Sequence, residues 1–150
     1  MDSALRKALG QRLTDDAILM GLLKSGASSV YYGINPRIDA KNSVPFIRFF
    51  FFASTTDDGL IRPHEKQEIR VQIDAVAESE STCELIVQRI QKILCIPGSN
   101  PDPIKTTDWR VDQLWMTNAS SIDSGIDIDG GGKSIQVIAT DWTMIALRLG

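Results

Sequence analysis

The chain has 150 residues, of which 43% are hydrophobic and 23% are charged, and its formal net charge is −3. This length and composition predict one folded domain and argue against a disordered chain. The acidic balance argues against a broad basic surface that grips nucleic-acid phosphates.

The N-terminal segment is predicted to be helical over residues 2–24, in two pieces. Apolar residues recur at helical spacing in both pieces, and Thr14-Asp15-Asp16 supplies a cap between them. Ser25-Gly26 ends the helix. A short strand is predicted at 30–33, before the loop that opens with Asn35-Pro36.

Two strands are predicted next, at 44–53 and 66–77. The second alternates strictly between apolar and polar side chains, whereas the first is apolar on both faces and is interrupted only by Arg48. A strand that is apolar on both sides has to be covered on both sides. The helices of the chain can cover the face that carries Phe49 and Phe51, and a partner subunit is the obvious candidate for the other face.

The outward face of these two strands is therefore predicted to form a subunit interface. Its residues are Phe46, Arg48, Phe50, Phe52, Arg70 and Gln72. Burying one Phe side chain contributes about 2–3 kcal/mol, so three exposed together would favour association. For these three Phe side chains, a place in the core of the subunit is an equal alternative. The Phe-rich strand could also be a sheet edge that is protected by pairing between chains.

The second half predicts a helix followed by closing strands. Ser81-Thr82-Cys83-Glu84 has the pattern of a capping box, and an apolar stripe continues from there to Leu94. Strands are predicted at 109–117, with Trp109, Val111 and Gln113 on one side, and at 134–149. The segment 119–133 is rich in Ser, Asp and Gly, and is predicted to be a long hairpin tip or to contain a short strand at 125–128.

These elements predict the α+β class. A small antiparallel or mixed β-sheet would carry the N-terminal and central helices on one face, in a single domain over 1–150 with surface loops at 54–65 and 119–133. The N-terminal residues lack the charged-then-apolar pattern of a secretory signal, so we expect none, and the longest apolar run is far shorter than the roughly 20 residues that span a bilayer. We expect a soluble protein that is intracellular when made.

Three patterns suggest a site for chemistry, but each lacks a required part. The run 130–134 ends like a phosphate-binding loop, yet Asp127 stands where the first glycine is needed and a strand follows instead of a helix. The acidic residues Asp123, Asp127 and Asp129 lack the ligand spacing of a calcium loop. His64 has no nucleophile or second catalytic group beside it in the sequence.

The two cysteines, Cys83 and Cys95, lack the spacing of a zinc site. We therefore expect no enzyme activity, no cofactor and no tightly bound metal. A reduced pair of thiols is the expected state of the cysteines.

The order of elements resembles the tail-completion family of long-tailed bacteriophages, which comprises tail terminators and head-to-tail joining proteins. The matching pieces are a Val30-Tyr31 strand before a Pro loop, Pro45-Phe46-Ile47, the strand 67–74 with its Ile-x-Val-x-Ile-Asp pattern, and the helix 85–94. The resemblance covers about two thirds of the chain. The chain departs from the family pattern in the tip at 119–133 and in the stretch after Pro97.

The resemblance implies a structural virion protein at the junction of tail and head, made in the host cytoplasm and without membrane contact. Such proteins form a ring, commonly of six copies, on the head-proximal end of the tail tube. Their partners would be other copies of the chain, the tail tube protein and the head-completion or connector proteins. DNA would pass through the lumen without specific binding, which suits an acidic protein.

The two irregular segments are expected to reach beyond the ring and to contact partners or line the lumen. The residues concerned are Asp57, Asp58, Arg62, His64, Asp123, Asp127, Asp129 and Lys133. Two alternatives stay open at this point. One is another neck or tail component, such as a head-completion or tube protein, and the other is a small intracellular α+β enzyme or ligand-binding domain.

Overall fold

The computed structural model describes residues 3–33, 43–57, 66–95, 104–127 and 134–149, with backbone alone for 55–57 and 123–127. Its helices are α1 (Ser3–Thr14), α2 (Ala17–Leu22) and α3 (Glu80–Leu94), with a short 3-10 helix at Gly26–Ser29. Its strands are β1 (Val30–Tyr32), β2 (Phe46–Asp57), β3 (Lys66–Ala77), β4 (Ile104–Lys105), β5 (Trp109–Asp127) and β6 (Ser134–Arg148).

The six strands form one sheet in the order β1-β2-β3-β6-β5-β4. The four long strands β2, β3, β6 and β5 are antiparallel to their neighbours, and only β1 is parallel, to β2. The sheet is therefore mixed, with two very short strands at its margins. The predicted α+β class, with one domain and a small mixed sheet, is confirmed.

The helices cover one face of this sheet, which we call the helix face. In α1, Leu5, Leu9 and Leu13 recur every four residues and are fully buried, as expected for the apolar stripe of a surface helix. The strands meet them with alternate side chains of β2 and β3, among them Phe49 and Phe51, which were predicted to lie under the helices. These side chains are Ile47, Phe49, Phe51, Ile69, Val71 and Ile73. Alternation along β2 and β3 thus places every second residue under the helices.

Helix starts are set by side-chain caps. Asp16 accepts a hydrogen bond from the Leu19 backbone N–H at 2.8 Å and opens α2. The cap of α3 is Ser79, whose hydroxyl accepts from the Thr82 N–H at 3.2 Å. The helix thus begins before the capping box predicted at Ser81, because the side chain of Ser79 already caps an amide of its first turn.

Strand β5 departs most from its predicted form. A register shift between Val111 and Gln113 puts both Val111 and Leu114 in the core, so the predicted two-residue alternation breaks down after Val111. The strand also runs to Asp127 and pairs with β6 along its length, so most of the predicted hairpin tip is strand. Backbone pairing with β6 here overrides a Ser- and Asp-rich composition. Residues 128–133 lie outside the described part.

Candidate functional site: the open face of the sheet

The second face of the sheet, turned away from the helices, is called the open face here. In the described part of the chain, no helix packs on it, since α1, α2 and α3 all belong to the core of the helix face. Strand register arranges the open face in rows that cross β2, β3, β6 and β5 in turn. Three successive rows are Arg48, Asp74, Ala139 and Ser120; Phe50, Gln72, Asp141 and Asn118; and Ala53, Arg70, Thr143 and Trp115.

All six residues of the predicted interface belong to β2 or β3 on this face, but their surroundings differ. Phe46 is buried in a small second cluster with Val44, Val76, Ile135 and Val137, and the Tyr31 ring meets it edge-on at 5.6 Å. Of the two alternatives left open for Phe46, a place in the core of the subunit therefore describes the structure.

A buried acid organises the polar part of the open face. Asp74 is only 1% exposed, and its carboxylate accepts hydrogen bonds from Arg48 Nε at 2.6 Å and from Gln72 Nε2 at 2.9 Å. Two predicted interface residues are thus held by an acid within the same subunit. Sequence reasoning missed Asp74. The sequence signal is a lone Arg in an apolar strand and a lone Asp in the next strand, but that they face each other depends on the register of the two strands.

Exposed aromatic side chains lie at both margins of the open face. On β2, Phe50 is buried, so a place in the core of the subunit describes it as well, but Phe52 is 45% exposed and its ring centroid lies 6.4 Å from that of Phe50. A bulge between Phe51 and Ala53 places Phe52 there. On β5, Trp115 is 39% exposed and Ile122 is 50% exposed. Neither residue was predicted to lie at an interface. Ile122 is a lone apolar side chain in a polar segment, whereas Trp115 stands between Leu114 and Met116.

Arg70 occupies the middle of the same row. It is half-buried, and its Nε atom is buried without a hydrogen-bond partner among the described residues. Its neighbours across the strands are Ala53 and Thr143. The open face therefore combines apolar margins with a polar centre, in which Arg48 and Asp74 are paired within the subunit.

The residues predicted to contact partners or the lumen are mostly not described. Asp58, Arg62, His64, Asp129 and Lys133 lie outside the described residues. For Asp57, Asp123 and Asp127 the backbone alone is described, and it is β-strand in each case. Their roles stay predictions.

Chemistry elsewhere on the described surface is sparse. Within the described ranges, no three His, Cys, Asp or Glu side chains are grouped so that they could hold a metal ion. Burial raises the pKa of the Cys83 thiol to about 11, and both cysteines are free. A groove of about 200 Å³ between α1 and β1 is lined by Arg6 and Tyr32 among others, with the guanidinium carbon 4.5 Å from the ring centroid. None of the described helices has the length and apolar character needed to cross a membrane.

Comparison with known proteins gives a likeness of fold. No family model matches the sequence, and no curated protein matches it either. Among solved structures, the chain is similar to a chain from the virion of a native gene transfer agent particle, with a TM-score of 0.62, 14% sequence identity and 96% of each chain covered. At this identity the likeness shows a shared fold over nearly the whole chain.

Proposed function

We propose that the chain is a structural virion protein, and specifically a tail terminator. In this proposal, copies of the chain form a closed ring, of six subunits, that caps the tail tube and receives the head-completion proteins. The observation that carries it is the fold shared with a virion chain over 96% of both lengths. The sequence resemblance to tail-completion proteins, found independently, supports the same class.

The open face supports the assembly part of the proposal. Phe52, Trp115 and Ile122 leave large apolar surfaces in water on a face that the described helices do not cover. A subunit that stayed alone would gain nothing from this exposure, whereas a ring could bury it. Among the residues of the predicted interface, the proposed contact is made by the exposed Phe52, with Phe50 buried beside it. Arg48, Arg70 and Gln72 lie on the same face of the sheet.

A ring is also what the role requires. A tail tube grows by stacking identical rings head to tail, and this kind of assembly has no intrinsic end. A terminator has to bind the last ring with one surface and present a different surface to the head. The described residues include no metal cluster, and the function needs no catalysis.

The proposal is tested by the mass of the purified protein over a range of concentrations, measured by light scattering and native mass spectrometry. We expect a discrete multimer that appears as a ring in electron micrographs. Phe52→Asp should shift the protein to monomer while its circular dichroism stays unchanged. Leu85→Asp is the matched control, because Leu85 is 53% exposed on α3, in the helix layer.

A wild-type protein that remains monomeric at every concentration would contradict the ring. If Phe52→Asp and Leu85→Asp reduced the mass of the multimer equally, the open face would not be the contact surface between subunits. A multimer that binds isolated tail tubes supports the terminator, whereas one that binds only head connectors indicates a head-completion protein instead.

A further inference from the structure

The sheet has two margins, β2 and β5, whose outer backbone is largely unpaired among the described residues and could pair with the other margin in a neighbouring copy. Strand β1 pairs with β2 only at Ile47–Phe49, and β4 pairs with β5 only at Arg110 and Val111. Among the described residues, the outer backbone of β2 from Phe50 to Asp57 and that of β5 from Asp112 to Asp127 therefore have no neighbouring strand. Such edges are templates for pairing with another chain.

The directions of the two margins are complementary. From β2 through β3 and β6 to β5, every pairing is antiparallel, so β5 runs opposite to β2. If β5 of one copy lies beside β2 of the next copy, the antiparallel alternation continues across the joint. An arrangement in which one margin binds the other is heterologous, and it generates a ring when the rotation between copies closes.

The free stretches also lie at the same height on the sheet. In the register of the subunit, Phe50 is level with Asn118, and Thr55 is level with Gln113. Both margins are free over these rows, so joining them needs no large stagger. The short strands β1 and β4 lie beyond opposite ends of the shared stretch and leave it clear.

The exposed aromatic residues lie where such a joint would bury them. The bulged Phe52 adjoins Ala53, whose row ends at Trp115 on β5. Inside one subunit the two margins are three strand spacings apart, about 14 Å at the usual separation of strands, so their backbones do not meet. Across the joint Phe52 and Trp115 would be neighbours on the same face, and both would lose their contact with water.

The geometry points to a second copy of this chain as the partner at these edges: β5 of one subunit pairs with β2 of the next, and Phe52 packs against Trp115 across the joint. This inference rests on the proposed ring and names its contact. The sheet then runs continuously around the ring, with the helix layer on one wall and the open face on the other. Arg70 and Gln72 lie on that wall, away from the joint.

The first test removes an outward-directed N–H donor of β2. The Phe49 carbonyl accepts from the Gly33 N–H at 3.0 Å, so the backbone of Phe49 points away from β3. In an antiparallel pair, successive residues direct their N–H and C=O alternately toward the paired strand and away from it. Counting through the bulge, Ser54 also directs its N–H outward, away from β3. Ser54→Pro should therefore abolish the multimer. Ser54→Ala, which keeps the N–H and loses only the hydroxyl, should assemble like the wild type.

The second test does not depend on how well the proline variant folds. Ala53→Cys is combined in turn with Trp115→Cys and Gln113→Cys, which sample two neighbouring registers. Because a disulfide needs Cα atoms within about 7 Å, the two new cysteines of one subunit cannot bond to each other. Oxidation should give a ladder of covalent multimers in one double variant, and the single variants should give none.

The outcomes separate this inference from the proposed function. A covalent ladder together with a monomeric Ser54→Pro supports the joint. A wild-type multimer with neither a ladder nor an effect of Ser54→Pro overturns the joint and leaves the ring in place. A monomeric wild type overturns the ring, and the joint with it.

Discussion

The two faces of the sheet are made by the same four strands, yet the chain completes only one of them. On the helix face, Ile47, Ile69 and Trp142 are fully buried under three helices. On the open face, Phe52 and Trp115 keep more than a third of their surface in water. The helices of the same chain thus cover the helix face, whereas the exposed apolar side chains at the margins of the open face are typical of a surface that binds another chain.

The comparison predicts very different costs for two tryptophans. Trp142 is fully buried, and its indole N–H donates to Thr140 Oγ1 at 2.8 Å. Trp142→Ala should lower the free energy of unfolding by about 3–5 kcal/mol, since it leaves a large cavity and removes the hydrogen bond that the Thr140 hydroxyl accepts. Trp115→Ala should cost under about 1 kcal/mol, since the side chain is partly in water.

Urea unfolding checks both values at a concentration where the protein is monomeric, because assembly would otherwise add to the stability. Trp115→Ala should instead weaken the multimer. If the two substitutions destabilise the monomer equally, the distinction between the two faces fails.

Asp74 is a buried, hydrogen-bonded residue on the open face. Asp74→Ala removes a carboxylate that is 1% exposed and leaves the Arg48 guanidinium and the Gln72 amide without their acceptor. Because Arg48 is 31% exposed and can be partly hydrated, we expect a loss of about 2 kcal/mol. Asp141→Ala is the control, since Asp141 is half-buried on the same face. Chemical denaturation should give a clearly lower free energy of unfolding for Asp74→Ala than for Asp141→Ala. Equal free energies would contradict a structural role for Asp74.

Much of the fold follows from patterns that the sequence displays directly. Strict alternation identified β3 with its observed bounds, 66–77, and the core assignment of Phe49 and Phe51 is confirmed. These features are local consequences of a two-residue period under a layer of helices.

The features that the sequence missed arise from pairing between distant segments. The bulges near Phe52 and Asp112 shift which residue faces the core, and no periodicity within one strand encodes them. The extension of β5 to Asp127 depends on hydrogen bonds to β6, and the contact of Asp74 with Arg48 depends on the register of β2 against β3. Trp115 and Ile122 could have been noticed as large apolar residues, but their exposure is a property of the assembled sheet.

A smaller effect is expected where the helices join one another. Asp16 caps α2 and also accepts from Arg89 on α3, with an Nη2–Oδ2 distance of 2.6 Å. The hydrogen bond from Arg89 holds the pKa of Asp16 below its ordinary value of 3.8. The charged form therefore stabilises the fold above that value, and the contribution is lost as the pH falls through the lowered pKa.

Asp16→Asn keeps a capping oxygen but removes the charge, so it isolates the ion pair. We expect it to be less stable than the wild type at pH 7, by less than the effect of Asp74→Ala. The gap should narrow as the pH falls below about 4, where the carboxylate of the unfolded chain begins to be protonated, and it should close once the pH passes the lowered pKa of the folded protein. Urea midpoints of both proteins between pH 7 and pH 3 measure it. A gap that stays constant over this range would show that the charge contributes nothing.

The smallest effect concerns reactivity instead of stability, and it probes how tightly the helix face is closed. Cys83 is fully buried on α3, and burial raises the pKa of its thiol to about 11, whereas Cys95 at the end of the helix is half-buried. Since the thiolate is the reactive form, Cys83 should resist alkylation at pH 8. Mass spectrometry should find at most one iodoacetamide adduct per folded chain, on Cys95, and two adducts in urea. Alkylation of Cys83 in the folded protein at a rate similar to that of Cys95 would mean that the α3 side of the core opens readily, and the helix face would then be less complete than its buried side chains indicate.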